Sequence, residues 1–375
     1  MIDFSEIKNT YPQPKNTTYL NTSSSGLVSK NSIAKAQLFN DGLHDLASGQ
    51  AENFLVNEIP KVRKVISEFM DASIDEIALI PNFSFGLNAV IPSIKKLKRV
   101  LLFRDDYPSL TMPFTLNNFQ VHWLESKNGF DIKMEDIIDS IIVNKIQMVA
   151  ISHVQWLTGF SINLEQLSYI CKSQHVLLVL DGTQSLGAIP FSFKSSGVNI
   201  FITSNYKWMN GGYGTGIMCI DHETQEEFPP KIGGLNSYKY IDKEWKYTPS
   251  INSYEPGHPN MAGISVLKEA IEFKLRIGVD HICSHNNKLI KLFTEKIDQT
   301  SFELIGPNDN KNRSNIVGIR GDKELEKFLI NHGIIVKWRN GIIRIGMHFY
   351  NTEDDVNRII QVLESYTELH SSSTK

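Results

Sequence analysis

Phe201-Ile-Thr-Ser-Asn-Tyr-Lys-Trp-Met-Asn-Gly-Gly-Tyr-Gly-Thr-Gly216 sets one lysine, Lys207, between an apolar run and a glycine-rich turn. Upstream, Val176-Leu-Leu-Val-Leu-Asp-Gly-Thr-Gln-Ser185 is a second apolar run, and it ends in Asp181. Short apolar runs bounded by turn residues predict strands buried on both faces. One such strand ending in a carboxylate, and a second ending in Ser-x-x-Lys, can supply the two groups that pyridoxal phosphate requires. The amine forms a Schiff base with the aldehyde, and the carboxylate keeps the ring nitrogen protonated so that the ring accepts electrons. A lysine ahead of glycines also has a purely structural reading, so the rest of the chain must decide.

Working outward, the same apolar runs recur from about residue 75 to 220. They predict strands at Ile77–Ile80, Val100–Phe103, Val121–Leu124, Met148–Ser152, Val176–Leu180, Ile200–Thr203 and Ile217–Ile220. Amphipathic stretches such as Leu164–Ser173 lie between most of them. This alternation predicts an α/β domain with a mainly parallel seven-stranded sheet, whose ligands bind beyond the carboxyl ends of the strands. After Gly257 the pattern changes. Helices over about Met261–Ile277 and Asp280–Ile297 lead to strands at Phe302–Ile305, Ile316–Ile319, Ile334–Trp338 and Ile342–Ile345, then a helix over Glu353–Tyr366. The expected organisation is an N-terminal arm (1–18) joining a smaller α+β domain (258–375), with a large domain at 19–257. The tail from His370 to Lys375 is expected to fray.

Bulk properties narrow the function classes. The 375 residues are 41% hydrophobic and 21% charged, with a formal net charge of −3 and no long basic run, which argues against nucleic acid as a partner. Cys171, Cys219 and Cys283 are far apart and in no ligand spacing, which speaks against a zinc site or a disulfide framework and for a reducing compartment. No metal site is expected. The first residues carry acid where a signal peptide carries base, and no segment is apolar enough to span a bilayer. A cytoplasmic protein is the expectation.

The polar residues at the strand ends are the candidates, each with a plainer alternative. Asp181 can equally cap a helix or serve a turn. Gln184 stands where it can hydrogen-bond a phenolic oxygen, or it is a loop amide. In Ile77-Ala-Leu-Ile-Pro-Asn-Phe-Ser-Phe-Gly-Leu-Asn-Ala-Val90 a strand breaks at Pro81 and a helix is expected to start near Ser84. The backbone there, around Phe83 and Ser84, offers N–H groups and a helix dipole to a phosphate. A plain N-cap explains Ser84 as well. Ser204 and Tyr206 add hydroxyls. Tyr107, in Arg104-Asp-Asp-Tyr-Pro-Ser109, can stack on a pyridine ring. His153, Gln155 and Trp156 can line the substrate side, although a structural role suits His153 better. Arg344 lies in the apolar segment Gly341-Ile-Ile-Arg-Ile-Gly-Met-His348 and needs a partner, either a substrate carboxylate or an internal acid. Gly212-Tyr-Gly-Thr-Gly216 looks like a dinucleotide turn, but the following Ile217–Ile220 reads as a strand, so a Rossmann cofactor is rejected.

Taken together, these residues resemble the class V aminotransferase family of fold type I pyridoxal phosphate enzymes. More narrowly, they are similar to the branch of cysteine desulfurases, selenocysteine lyases, kynureninases and isopenicillin N epimerase-like proteins. The match runs from Tyr19-Leu-Asn-Thr-Ser-Ser-Ser-Gly26 to His348-Phe-Tyr-Asn-Thr-Glu-Asp-Asp355. The resemblance implies pyridoxal 5'-phosphate as cofactor, Lys207 for the Schiff base, Asp181 for the ring nitrogen and Gln184 for the phenolic oxygen. It also implies Ser84, Ser204 and Tyr206 at the phosphate, Tyr107 against the ring, and Arg344 on the substrate carboxylate with Arg339 and Trp156 beside it. His258, in Glu255-Pro-Gly-His-Pro-Asn260, matches a loop that reaches the phosphate of a partner subunit, which implies a homodimer with shared sites. Here His replaces the hydroxyl residue common at that place.

One departure bears on function. Desulfurases carry a persulfide-forming cysteine on a loop between the arginines matched by Arg339 and Arg344. Only Asn340-Gly-Ile-Ile343 separates them here, with no cysteine. Gln155-Trp156 is closer to the Val-Gln-Tyr of kynureninase-like members. The expected function is a pyridoxal phosphate enzyme acting on an amino acid, with transamination in the lead. The alternatives are a C–S or C–C lyase, an epimerase and a catalytically idle binding protein.

Overall fold

The computed structural model describes residues 4–372 apart from 127, 308 and 310. Seven strands form the main sheet: β1 (Ile77–Ile80), β2 (Arg99–Phe103), β3 (Gln120–Leu124), β4 (Met148–Ser152), β5 (Leu177–Asp181), β6 (Ile200–Ser204) and β7 (Gly216–Ile220). Their spatial order is β1-β7-β6-β5-β4-β2-β3, and only β7 runs against its neighbours. Each expected strand is present, within a residue at either end.

The apolar runs have a simple cause. Leu178, Leu180, Phe201, Ile217 and Cys219 face one core, while Leu177, Val179, Ile200, Ile202 and Met218 face the other. Helices cover both faces, so neither alternate set can be polar. The first core is closed by α1 (Lys30–Leu46), α2 (Ile59–Met70), α4 (Leu164–Ser173) and α5 (Met261–Ile277), the second mainly by α3 (Phe83–Ile94). Although α5 begins just past the boundary drawn at residue 257, its Met261, Ile264, Leu267 and Ile271 belong to the first core.

The smaller sheet holds β8 (Leu304–Ile305), β9 (Ile316–Arg320), β10 (Lys337–Arg339) and β11 (Ile342–Gly346) in the order β8-β9-β11-β10, all antiparallel. It packs with α6 (Val279–Ile297) and α7 (Glu353–Ser372) around a core of Leu289, Phe293, Val317, Ile343, Ile345 and Ile359. The single strand expected at Ile334–Trp338 is split. Ile334–Ile335 pairs in parallel with Thr18–Tyr19, and Lys337–Arg339 pairs with β11. The N-terminal segment also holds this unit through Tyr11, packed on Phe349, and through the Lys8–Asp355 ion pair at 3.0 Å. The last helix runs on to Ser372 rather than stopping at Tyr366; residues 373–375 of the tail lie outside the described residues. No described helix is long and apolar enough to cross a membrane.

Candidate active site

The carboxyl ends of β4, β5 and β6 open into a cavity of about 370 Å³. Phe83, Ser84, Tyr107, Ser152, Trp156, Asp181, Thr183, Gln184, Ser204, Tyr206 and Lys207 line it. A larger groove of about 970 Å³ lies at the opposite, amino end of the strands, among Gln147, Asn199 and Asp221, and contains none of the candidates. The sequence candidates gather around the smaller cavity.

Lys207 ends the β6 turn and is buried, with its Nζ 5.6 Å from the Tyr107 ring centroid and 5.7 Å from that of Tyr206. Burial, reinforced by the Arg344 charge, pushes its pKa well down, and Asp181 opposes this. An amine so placed spends more time as the free nucleophile. Asp181, at the end of β5, pairs in register with Ser152 of β4. Burial pushes its carboxyl up, hydrogen bonds from Thr183 pull it down, and nearby Asp106 pushes it further up. Such a carboxyl is well suited to sharing a proton with a ring nitrogen.

The anion end departs from expectation in one detail. Asn82, not Ser84, caps α3: its Oδ1 accepts from the Phe85 N–H at 2.9 Å. The asparagine follows Pro81 in extended backbone and satisfies that donor first. Ser84 therefore sits inside the first turn, exposed, with its N–H among the orphan donors of a helix start. The Phe83 N–H donates to Ser204 Oγ at 2.9 Å, which leaves the Ser204 hydroxyl hydrogen to give elsewhere. Tyr206 stacks on Tyr213 with centroids 4.7 Å apart. Tyr107 meets Trp156 edge-on at 5.7 Å, and Trp156 Nε1 donates to the Asp105 carbonyl at 3.1 Å.

Arg344, on β11, comes from the smaller sheet and is buried beside the cavity without lining it, its Cζ 5.8 Å from the centroid of the Trp156 ring. Its Nη1 donates to the Trp156 carbonyl at 2.8 Å and its Nη2 to Ser24 Oγ at 2.6 Å, while Nε has no partner among the described residues. Among the described residues no acid pairs with it. The internal salt bridge is thus not formed, and the guanidinium is held by neutral acceptors that leave its charge uncompensated. Among the described residues, the Arg339 side chain, on β10, donates only to its neighbour Trp338's carbonyl, at 3.1 Å.

Not every candidate gathers here. His258 is exposed on the loop before α5, outside the cavity of its own chain. His153 is buried away from the cavity, its pKa pushed down to about 4 by burial. Gln155 is also buried behind the site, donating to Asp106 at 3.2 Å.

Residues not singled out in the sequence complete the frame. Asp106 is buried and accepts from Ser152 Oγ at 2.5 Å, the Ser152 N–H at 2.9 Å and the Tyr107 N–H at 2.7 Å. Nothing in Asp105-Asp106 tells which carboxylate turns inward. The serines after Tyr19 bind the two halves of the site together: Ser23 offers its carbonyl to Gln184 Nε2 at 3.0 Å, and Ser24 holds Arg344. Gly26 permits this approach, because its N–H meets the Tyr206 carbonyl at 2.8 Å and a Cβ would lie 2.0 Å from the Lys207 carbonyl oxygen.

A family model described as aminotransferase class-V matches residues 19–359. The chain belongs to the class-V aminotransferase family. It is therefore a pyridoxal phosphate-dependent enzyme of fold type I, as the sequence resemblance implied. A probable cysteine desulfurase from Pyrococcus abyssi is 26% identical over 361 residues, 88% of each chain. A kynureninase from Geobacillus thermodenitrificans is 24% identical, covering 94% of this chain and 88% of its own. The apo structure of a cysteine desulfurase from Thermococcus onnurineus superposes with a TM-score of 0.88 at 21% identity, over 98% of this chain and 99% of that one. The cavity fits the family's cofactor. It offers a buried free amine, a carboxyl poised to share a proton, and unspent donors at the α3 start. These are the groups an aldehyde, a pyridine nitrogen and a phosphate need.

Proposed function

We propose that this class-V enzyme is an aminotransferase whose single proton-moving base is Lys207. The observation that carries the reading is the cavity lining: among the described residues, Lys207 is its only amine, imidazole or thiol. When bound, pyridoxal phosphate supplies a ring that takes up the electron pair left at the substrate Cα. Arg344 binds the substrate carboxylate with the N–H groups its neutral partners leave free, and Trp156 walls the same side. Lys207 Nζ would take the Cα proton and deliver it on the same face to the cofactor carbon across the nitrogen. Asp181 holds a proton at the ring nitrogen. One base on one face suits a proton shift between two carbons bonded to the same nitrogen and disfavours an epimerase, which exchanges protons across two faces.

The geometry speaks against a persulfide relay. Asn340 and Gly341 have φ of 48° and 81°, and Arg339 pairs with Ile342 across them. The two strands are thus joined by a two-residue turn, for which Asn-Gly is the favoured pair. Cys171 and Cys219 are buried, and burial pushes the thiol of every cysteine up, away from the thiolate. A C–S or C–C lyase using Lys207 alone is the second reading, favoured by the relatives named cysteine desulfurase and kynureninase. We further propose a homodimer in which the exposed His258 loop serves the partner's cavity.

A single-turnover screen of cofactor-loaded protein against L-amino acids tests the reading. A keto acid formed with the aminated cofactor supports transamination. Pyruvate, alanine or sulfide released with the cofactor unchanged establishes the lyase instead.

A further inference from the structure

Gln184 has two buried neighbours that fix its orientation. Trp208 Nε1 donates to Gln184 Oε1 at 2.8 Å, and Gln184 Nε2 donates to the Ser23 carbonyl at 3.0 Å. An indole N–H can only give and a carbonyl can only accept, so both partners independently select the same amide orientation. The second N–H of that amide has no partner in the chain among the described residues, and Gln184 lines the cavity. The cavity thus meets a donor.

Trp208 is itself held. Its ring is buried and meets His348 edge-on at 5.2 Å, and its carbonyl receives His348 Nε2 at 2.9 Å. That carbonyl only accepts, so Nε2 carries the proton and Nδ1 accepts from Asn286 Nδ2 at 3.3 Å. Asn210 Oδ1 lies 3.1 Å from the same Nε2 and takes a hydrogen bond from Lys274 Nζ at 2.9 Å. Trp208 and Asn210 belong to the turn that presents Lys207, whereas His348 follows β11, the strand that carries Arg344.

We infer that Trp208 is a positioning residue: its indole N–H fixes Gln184 so that a donor faces the phenolic oxygen of the bound cofactor. His348, by holding the Trp208 carbonyl, ties this orientation to the segment that follows Arg344. The inference rests on the reading of the cavity as the cofactor site, with Gln184 at the phenolic oxygen.

The test compares wild type with Trp208→Phe, Gln184→Ala and the double variant, each loaded with pyridoxal phosphate. The pH midpoint of the visible cofactor absorbance and the cofactor Kd are read, and thermal melting checks folding. Trp208→Phe removes the donor together with part of the buried ring volume, a loss that β-(3-benzothienyl)alanine at the same position does not share. The expected result is a midpoint shifted to higher pH and cofactor binding roughly five- to tenfold weaker, as loss of one donor implies. In the Gln184→Ala background the substitution should add nothing further. A midpoint and Kd equal to wild type, or effects that add in the double variant, would overturn the inference. If Trp208→Phe does not fold, β-(3-benzothienyl)alanine at position 208, an indole shape without the N–H, decides by the same criteria. Wild-type protein that acquires no visible band with pyridoxal phosphate would instead refute the underlying site reading.

Discussion

The Arg344 guanidinium donates to the Ser24 hydroxyl at 2.6 Å, joining the smaller sheet to the segment that borders Gln184. A rigid fork aimed by two neutral acceptors should be sensitive both to its own chemistry and to its aim. Arg344→Lys keeps the charge but loses the fork, and is expected to lower kcat/KM roughly 10- to 100-fold, mostly through KM. Ser24→Ala should raise KM only several-fold, with cofactor affinity unchanged in both variants. Steady-state kinetics beside a cofactor titration separate the two effects.

Lys207→Ala should retain pyridoxal phosphate without a covalent link and lose roughly 1,000-fold or more in turnover. Borohydride treatment followed by mass spectrometry should label wild type at Lys207 and leave the variant unmodified. Asp181→Asn removes the counter-charge at the ring nitrogen and is expected to slow turnover about 100- to 1,000-fold. A near-normal rate in either variant contradicts the assignment.

The amine of Lys207 lies below its ordinary pKa of 10.5 through burial first and the Arg344 charge second. Cofactor attachment by the apoprotein should therefore quicken as pH rises through this lowered value. Removing the neighbouring cation makes the ammonium form easier to hold. In Arg344→Gln the midpoint of the attachment rate should accordingly move to higher pH. Stopped-flow mixing of apoprotein with cofactor across a pH series measures the shift, and a downward shift would reverse the electrostatic argument.

Lys274 is fully buried, touches no carboxylate among the described residues, and is pushed well below its ordinary pKa by burial. Between the folded value and 10.5 the unfolded chain binds the extra proton, so stability rises with pH across that window. Lys274→Met should therefore raise the melting temperature at neutral pH, by about 1 °C for each kcal/mol gained. The gain should fade as pH approaches 10.5. Melting curves at pH 7 and pH 10 suffice to compare.

None of the three cysteines lines the cavity. A variant with Cys171→Ala, Cys219→Ala and Cys283→Ser should lose some stability and keep turnover within about twofold, since burial of small thiols contributes packing alone. Loss of turnover in a folded triple variant would restore a thiol to the chemistry.

Much of this was legible in the chain because the main sheet is covered on both faces. Leu177–Leu180 must be apolar throughout, and the first polar residue after it, Asp181, marks the strand end where ligands bind. Positions fixed by folding back were not legible. Asn82 outcompetes Ser84 for the cap because it comes first after Pro81, a choice that residue types alone do not decide. Asp106 and Asp105 are neighbours of identical chemistry, and only packing against Ser152 turns one inward. His153 and Gln155 follow a strand end like the true lining residues, yet the chain there pairs with Ile162 and Phe160 and carries them behind the site. Ser23 and Ser24 act across more than a hundred residues of sequence, and no local pattern announces that.

The Asn340–Gly341 turn has one further consequence. An enzyme with a mobile arm can pass an atom to an acceptor while both are tethered to it, so that the acceptor must dock. Two residues in a closed hairpin make no such arm. A group expelled from a substrate could not ride on this segment to a docked acceptor.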